Sequence, residues 1–134
     1  MSYKKDVVDY RRQRARETLA DARTLFQSGG YSSAVNRIYY ALFYEIIALL
    51  LIKDLSSPKH SGVRALFHQH CIKSDLISRD IGRLFDILFE FRQKGDYGDF
   101  VTFDREKVEE WLARADDALI DLESVIGGLL EDNN

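Results

Sequence analysis

From Ile38 to Ile52 every residue except Glu45 is apolar or aromatic, and this run constrains the fold more than any other part of the chain. A helix that is apolar on all sides has to be surrounded by protein. The helices of a small bundle cover two or three of its faces, so a second subunit is expected on another, and the chain reads as a homodimer. The longest apolar stretch, Ala41 to Ile52, is broken by Glu45 and is shorter than the roughly 20 residues of a membrane span. A core helix, with no membrane role, is the expectation.

The rest of the chain agrees with a helical frame. One proline in 134 residues, with plentiful Leu, Ile, Ala, Glu and Arg, leaves long stretches without breakers and favours helix over strand. A core of this size stabilises one compact unit, so residues 1–134 are taken as a single domain. Ala15, Leu19, Ala22 and Phe26 recur at helical spacing and predict a first helix from Asp6 to Gln27, stopped by Ser28-Gly29-Gly30. A second is expected from about Ser32 to Leu55, with Pro58 and Gly62 marking the break after it. A short third helix covers Ser61 to Ile72 and Lys73-Ser74 ends it. A fourth presents Ile77, Ile81, Leu84, Phe85, Leu88 and Phe91 on one face and ends around Gly95, and a fifth follows Asp104, a candidate N-cap, with Val108, Trp111, Leu112, Ala115, Leu119, Leu122 and Ile126 inward. The fold class is therefore all-α, an up-and-down bundle of four long helices plus one short helix.

Charge is unevenly spread along the chain. Residues 1–24 carry seven Lys/Arg against four Asp/Glu, and residues 98–134 carry three against eleven. The arginines at 11, 12, 14 and 16 form either a phosphate-binding patch or a solvated face that the acidic last helix complements. Cys71 is the only cysteine, which rules out an internal disulfide and suits a reducing compartment. The first sixteen residues contain no apolar run resembling a signal peptide. A cytoplasmic protein is expected.

Ordinary cofactor and hydrolase motifs are missing, so no cofactor is assigned. His68 and His70 are two apart, about 200° around a helix, and cannot face one ion. His68 with Cys71 supplies two ligands, which is not a site. The sequence therefore points to no metal. Three segments remain unusual for packing alone: Asn36 to Glu45, Lys59 to Phe67 and Phe91 to Asp99. In the first, Arg37, Tyr40, Ala41 and Tyr44 share a helix face, so the guanidinium can stack on the tyrosine rings; or the aromatic residues simply fill the core. In the second, Ser61 can cap the short helix, which leaves His60 unexplained. In the third, Arg92 and Lys94 suit the last turn before a terminating glycine, which leaves Asp96 and Tyr97 unexplained.

Strict alternation of helix direction puts the loop after the second helix beside the end of the fourth, so that His60 approaches Arg92, Asp96 and Tyr97. Arg37 lies about 18 residues before the end of the second helix, about 27 Å along it. On that reasoning it joins the cluster only from another subunit.

The ordered set Arg37-Ile38-Tyr39-Tyr40-Ala41, then His60-Ser61-Gly62-Val63, then Arg92 through Asp96-Tyr97 resembles the small stand-alone HEPN-domain proteins of bacteria and archaea. The resemblance covers residues 31 to 99. It implies a bundle of four or five helices, a dimer and, in many such proteins, a nucleotidyltransferase partner with which HEPN proteins form toxin–antitoxin pairs. In the catalytic branches an arginine is followed after four to six residues by a histidine. Two subunits then form a metal-independent ribonuclease site, at which the RNA 2′-hydroxyl attacks the adjacent phosphate. Arg92 matches the arginine. Four residues separate it from position 97, where this chain has tyrosine.

That departure bears on catalysis, because a tyrosine with a pKa of about 10 is ionised in only about one molecule in a thousand at pH 7. Either Tyr97 donates a hydrogen bond to phosphate, or His60 moves the proton, or RNA binding has outlived cleavage. The resemblance thus implies a catalytic or binding set of Arg92, Asp96, Tyr97 and His60, with Arg37, Tyr40 and Lys94 as further RNA contacts. It also suggests Tyr97 as an adenylate acceptor for a nucleotidyltransferase partner. The competing reading is a non-catalytic adaptor that binds such a partner.

Overall fold

The computed structural model describes residues 2–97 and 102–132, the side chains of 94–97 excepted. The helices are α1 (Tyr3–Gln27), α2 (Tyr31–Ile52), α3 (His60–Phe67), a π-helical turn (His68–Ile72), α4 (Arg79–Tyr97) and α5 (Arg105–Asp132). No strand occurs among the described residues. The all-α bundle of four long helices and one short one is the architecture read from the sequence.

The boundaries follow from the local chemistry. The Ser2 hydroxyl caps α1 by accepting from the Lys5 backbone N–H at 3.2 Å, which satisfies one of the first-turn donors that lack a helical partner. At the other end Gly29 takes φ 84°, and the Gly30 N–H returns to the Leu25 carbonyl at 2.8 Å, closing α1 in a Schellman turn. The same device ends α2 earlier than expected. Asp54, at φ 61°, turns the chain so that the Leu55 N–H reaches the Leu50 carbonyl at 2.9 Å, and the helix stops at Ile52 rather than Leu55. Aspartate tolerates this conformation better than most non-glycine residues, and periodicity alone does not reveal that choice.

Two further boundaries differ from the sequence reading. Helix α4 passes through Gly95 and includes Asp96 and Tyr97; a glycine inside a helix costs only about 1 kcal/mol, which is a weak stop. The short helix is α-helical only to Phe67 and continues as a π turn, with the Lys73 N–H bonded to the His68 carbonyl at 2.9 Å. Ser61 does not cap it: the N-cap is Lys59, in extended backbone, and Ser61 lies in the first turn.

Helix α2 is the core. Val35, Ile38, Tyr39, Leu42, Ile46, Leu49 and Leu50 are all buried, packed between α1, α4 and α5. It is 22 residues long and contains an 18-residue window of mean hydropathy 1.6, long and apolar enough to cross a membrane by length and composition, and 61 % of that window is buried inside the bundle. The single chain leaves a stripe of Tyr40, Phe43, Tyr44, Ile47 and Leu51 only partly covered.

The direction of each helix is read from its cross-links. Arg12 and Arg16 both reach Glu123 of α5, at 3.2 and 2.8 Å, Arg23 pairs with Asp116, and the Arg105 guanidinium lies 5.2 Å from the Phe26 ring centre. Numbers rise on α1 as they fall on α5, so the two are antiparallel. The basic first helix and the acidic last one complement each other, which is the second of the two readings of their charges. Arg11 donates to the Ile47 carbonyl at 3.2 Å and Arg14 stacks over Tyr44 at 5.4 Å, so α1 and α2 are antiparallel as well.

Helix α4 also runs antiparallel to α2, since Phe85 stacks on Tyr39 at 5.3 Å while Arg92, further along α4, bonds Tyr40 and shares a cavity with Arg37. This corrects the alternation argument, in which the short helix counts as a full crossing. At eight residues, about 12 Å, α3 does not span the bundle, so it does not reverse the direction of α4. The end of α4 therefore meets the start of α2.

Candidate functional site

The site begins with an aromatic stack where α2, α3 and α4 meet. Tyr39 is fully buried. Its ring lies nearly parallel to Phe85 at 5.3 Å and 14° and to Phe43 at 5.8 Å and 27°. Helical spacing puts Tyr39 and Phe43 on one face, and α4 closes that face with Phe85 and Phe89. The Tyr39 hydroxyl lies 2.8 Å from His60 Nδ1.

His60 comes to this point on the first residue of α3 rather than from a distant loop. Its ring stacks on Phe43 at 4.2 Å and 12°, the shortest ring contact in the cluster. The approach is fixed from behind by Gly62, where a Cβ would fall 2.0 Å from the Ser57 Oγ and 2.8 Å from its Cβ. Only a residue without a side chain lets the loop and the first turn of α3 come so close. The Gly62 of the sequence motif thus has a steric role in placing His60.

Arg92 approaches the same aromatic residues from α4. Its Nε donates to the Tyr40 hydroxyl oxygen at 3.2 Å, and its guanidinium carbon lies 5.5 Å from the Tyr39 ring centre and 5.6 Å from that of Tyr40. Arg37, one helical turn before Tyr40, stacks over the Tyr40 ring at 5.0 Å. Two guanidinium groups thus converge on one tyrosine, within the distance at which ring quadrupoles attract cations.

The electrostatics follow from this crowding. The His60 pKa is lowered by desolvation first and by the Arg92 charge second, so at neutral pH the imidazole is uncharged. Burial raises the Tyr39 pKa well above the ordinary tyrosine value, so its hydroxyl keeps its proton. A Tyr39 hydroxyl that donates to His60 Nδ1 leaves the imidazole hydrogen on Nε2. In this tautomer His60 offers a hydrogen-bond donor to a ligand. Accepting a proton at Nε2 would require the Tyr39 bond to reverse. An uncharged donor, a phenol and two fixed cations suit the binding of a phosphate group.

Of the residues singled out in the sequence, the fold brings Arg37, Tyr40, His60 and Arg92 into one neighbourhood of a single chain. The expectation that Arg37 arrives only from a second subunit does not hold, because the antiparallel pairing of α2 and α4 puts it beside Arg92. Lys94, Asp96 and Tyr97 lie on the last turns of α4, and their side chains are outside the described residues. The sequence does not mark Tyr39 or Asn36 as site residues. Tyr39 reads as packing, which it also is, and its placement one residue before Tyr40 gives no sign that its hydroxyl meets His60. Asn36 orients Arg37 through its Oδ1, which accepts from Nε and Nη2 at 3.2 and 2.8 Å.

The π turn serves a separate polar cluster. His68 Nε2 lies 2.9 Å from Asp86 Oδ1, and Arg64 reaches Asp86 at 3.7 Å and Glu90 at 3.2 Å. Cys71 is buried, and burial pushes its thiol pKa up to about 11. Among the described residues no group of three or more His, Cys, Asp or Glu is placed to hold a metal ion.

The bundle of four long helices and one short one, with no strand among the described residues, fits a HEPN domain, and similarity to known proteins agrees. The HEPN domain family model matches residues 8–124, and the chain belongs to the HEPN domain family. It is 44% identical to the UPF0332 protein of Thermotoga maritima over 129 residues, covering 96% of this chain and 98% of that one. Two proteins of Methanocaldococcus jannaschii, each named as a putative toxin, are 33% and 38% identical over 97 and 96 residues, in both cases 72% of this chain and respectively 66% and 69% of theirs.

Proposed function

We infer that the protein binds RNA at the Arg92–Tyr40–His60 site as one member of a toxin–antitoxin pair, as a homodimer and with a nucleotidyltransferase as its protein partner. The convergence of Arg92 and Arg37 on the Tyr40 ring beside a neutral His60 carries this reading, because two cations and neutral donors side by side complement the successive phosphates of a strand. The toxin names of two relatives support the assignment to such a pair. Arg92→Ala is expected to weaken binding of a labelled single-stranded RNA at least tenfold and to lower the salt slope by about 0.7, one phosphate contact. Unchanged affinity and slope in a fluorescence anisotropy titration would move the site elsewhere.

Within this reading, ribonuclease chemistry would use Arg92 to offset charge on the phosphoryl oxygens and His60 to move the proton. The second reading, a non-catalytic adaptor for the partner enzyme, is favoured by tyrosine at position 97, a poor proton acceptor at neutral pH. RNA cleavage by the isolated protein without metal, lost in His60→Gln, separates the two.

The dimer rests on the half-covered stripe of α2. Tyr40, Phe43, Tyr44, Ile47 and Leu51 repeat at three- and four-residue spacing, and all are only partly buried by the chain's own helices. A second copy laid along this stripe would place two Arg92 sites near one another. Light scattering at micromolar concentration is expected to give twice the mass of the 15.5 kDa chain; a stable monomer refutes it.

A further inference from the structure

Between the start of α2 and the end of α4 lies a cavity of about 390 Å³ whose two walls differ in chemistry. Phe91 and Phe103, packed edge to face at 5.2 Å, form an apolar wall. Ser33, Asn36 and Arg37 of α2 form a polar wall, and Arg92 stands where the cavity meets the His60 site.

Arg12, Arg16, Arg23 and Arg64 each have a carboxylate partner, whereas among the described residues no carboxylate pairs with Arg37. It is held instead by the Asn36 amide oxygen and by the Tyr40 ring. Those contacts occupy two of its five N–H donors and fix the plane of the guanidinium. Three donors remain in a half-buried, pre-oriented cation, the condition in which bidentate capture of a phosphate loses least entropy.

We propose that this cavity takes one unstacked nucleotide of the bound RNA, its base against the Phe91–Phe103 wall and its phosphate on Arg37, next to the phosphate held at Arg92. The inference rests on the reading of the Arg92 site as an RNA site. The paired walls decide the ligand class. A free phosphate or an acidic side chain would use the cation and leave the aromatic wall bare, whereas a nucleotide uses both, and its volume suits a small-ligand cavity of this size. Base-to-aromatic contact is tolerant of sequence, so the pocket would anchor RNA without reading it.

The test uses adenosine monophosphate and, separately, a labelled single-stranded RNA of about twelve nucleotides, within the site sizes of single-strand binders, with wild type, Arg37→Gln and Ser33→Glu. Ser33 is exposed on the rim, so its replacement adds repulsion without disturbing the core. Wild type is expected to bind the mononucleotide with amide shift changes centred on Ser33, Asn36 and Arg37, and both variants to bind it at least tenfold more weakly. Arg37→Gln should also lower the RNA salt slope by about 0.7. No mononucleotide binding at millimolar concentration, or equal binding by all three proteins, overturns the cavity proposal. RNA binding that Arg92→Ala weakens and Arg37→Gln does not overturns it while leaving the RNA reading intact. Mononucleotide binding without any RNA binding does the reverse, keeping the cavity as a nucleotide site and refuting the RNA reading.

Discussion

Glu45→Gln is expected to stabilise the protein at pH 7–8 by roughly 2–4 kcal/mol and to leave it nearly unchanged at pH 4. Glu45 is fully buried on α2, and neither of its carboxyl oxygens receives a hydrogen bond from a donor. The groups facing it are Glu123 of α5, within hydrogen-bonding reach, and Arg12 and Arg16 of α1, both already paired to Glu123. Burial first, then the Glu123 charge, push the Glu45 pKa up to about 9, so the folded protein keeps this proton and Glu45 donates it to Glu123. Glu123 itself is shifted down: burial raises its pKa, and the bonds from Arg16 and Glu45 and the arginine charges more than offset that.

The sign of the pH effect follows from proton counts. Between about pH 4.5 and 9 the unfolded chain releases the Glu45 proton and the folded one holds it, so the unfolded state gains relative stability as pH rises. Glutamine keeps the shape and the donor without a titrating proton. The depressed Glu123 contributes in the opposite sense, adding stability above its unfolded pKa and losing it as pH falls through the folded one, and it is left in place by the substitution. Urea denaturation of both proteins from pH 4 to 9 measures the difference. A loss of stability at pH 8 would mean that Glu45 is ionised and held by Arg12 and Arg16.

Phe85→Ala is expected to cost about 3–5 kcal/mol, a large part of the roughly 5–15 kcal/mol that keeps a domain of this kind folded. Phe85 is fully buried and touches Tyr39, Phe67 and Phe89 at ring separations of 5.3, 5.9 and 6.4 Å. It thus joins α2, α3 and α4 at one point, and three helices cannot all close on the space it leaves. The same loss frees the Tyr39 ring, so the hydroxyl that orients His60 should lose its position together with the stability. Phe85→Leu, which leaves a smaller void, should cost less and keep the Tyr39–His60 contact. A loss under about 1 kcal/mol for the alanine variant would show that this junction collapses without the usual cavity penalty.

The fold is largely legible in the chain because helical periodicity is a local signal. The apolar positions of α4 and α5 repeat every three or four residues, and Ile81, Leu84, Phe85, Leu88, Val108, Trp111 and Leu122 are all buried as that spacing requires. The stop at Gly29 is legible for the same reason, since two successive glycines offer the left-handed turn that the Schellman closure needs. The stop at Asp54 is not, because an aspartate at positive φ has no pattern of its own. Nor is the passage of α4 through Gly95, where a weak local preference loses to helix continuation.

For the candidate site, residue types and spacing single out Arg37, Tyr40, His60 and Arg92, because packing alone does not call for them in these places. Which of them meet was settled only by the packing of the helices. That depended on the length of α3, too short to cross the bundle, and hence on α4 running antiparallel to α2, which brings Arg37 and Arg92 to one tyrosine within a single chain. The same packing gave Tyr39 a role beyond filling the core and turned Glu45, in sequence a lone interruption of an apolar run, into a protonated partner of Glu123. Chain direction and burial depend on contacts between residues dozens of positions apart, and local periodicity carries no information about them.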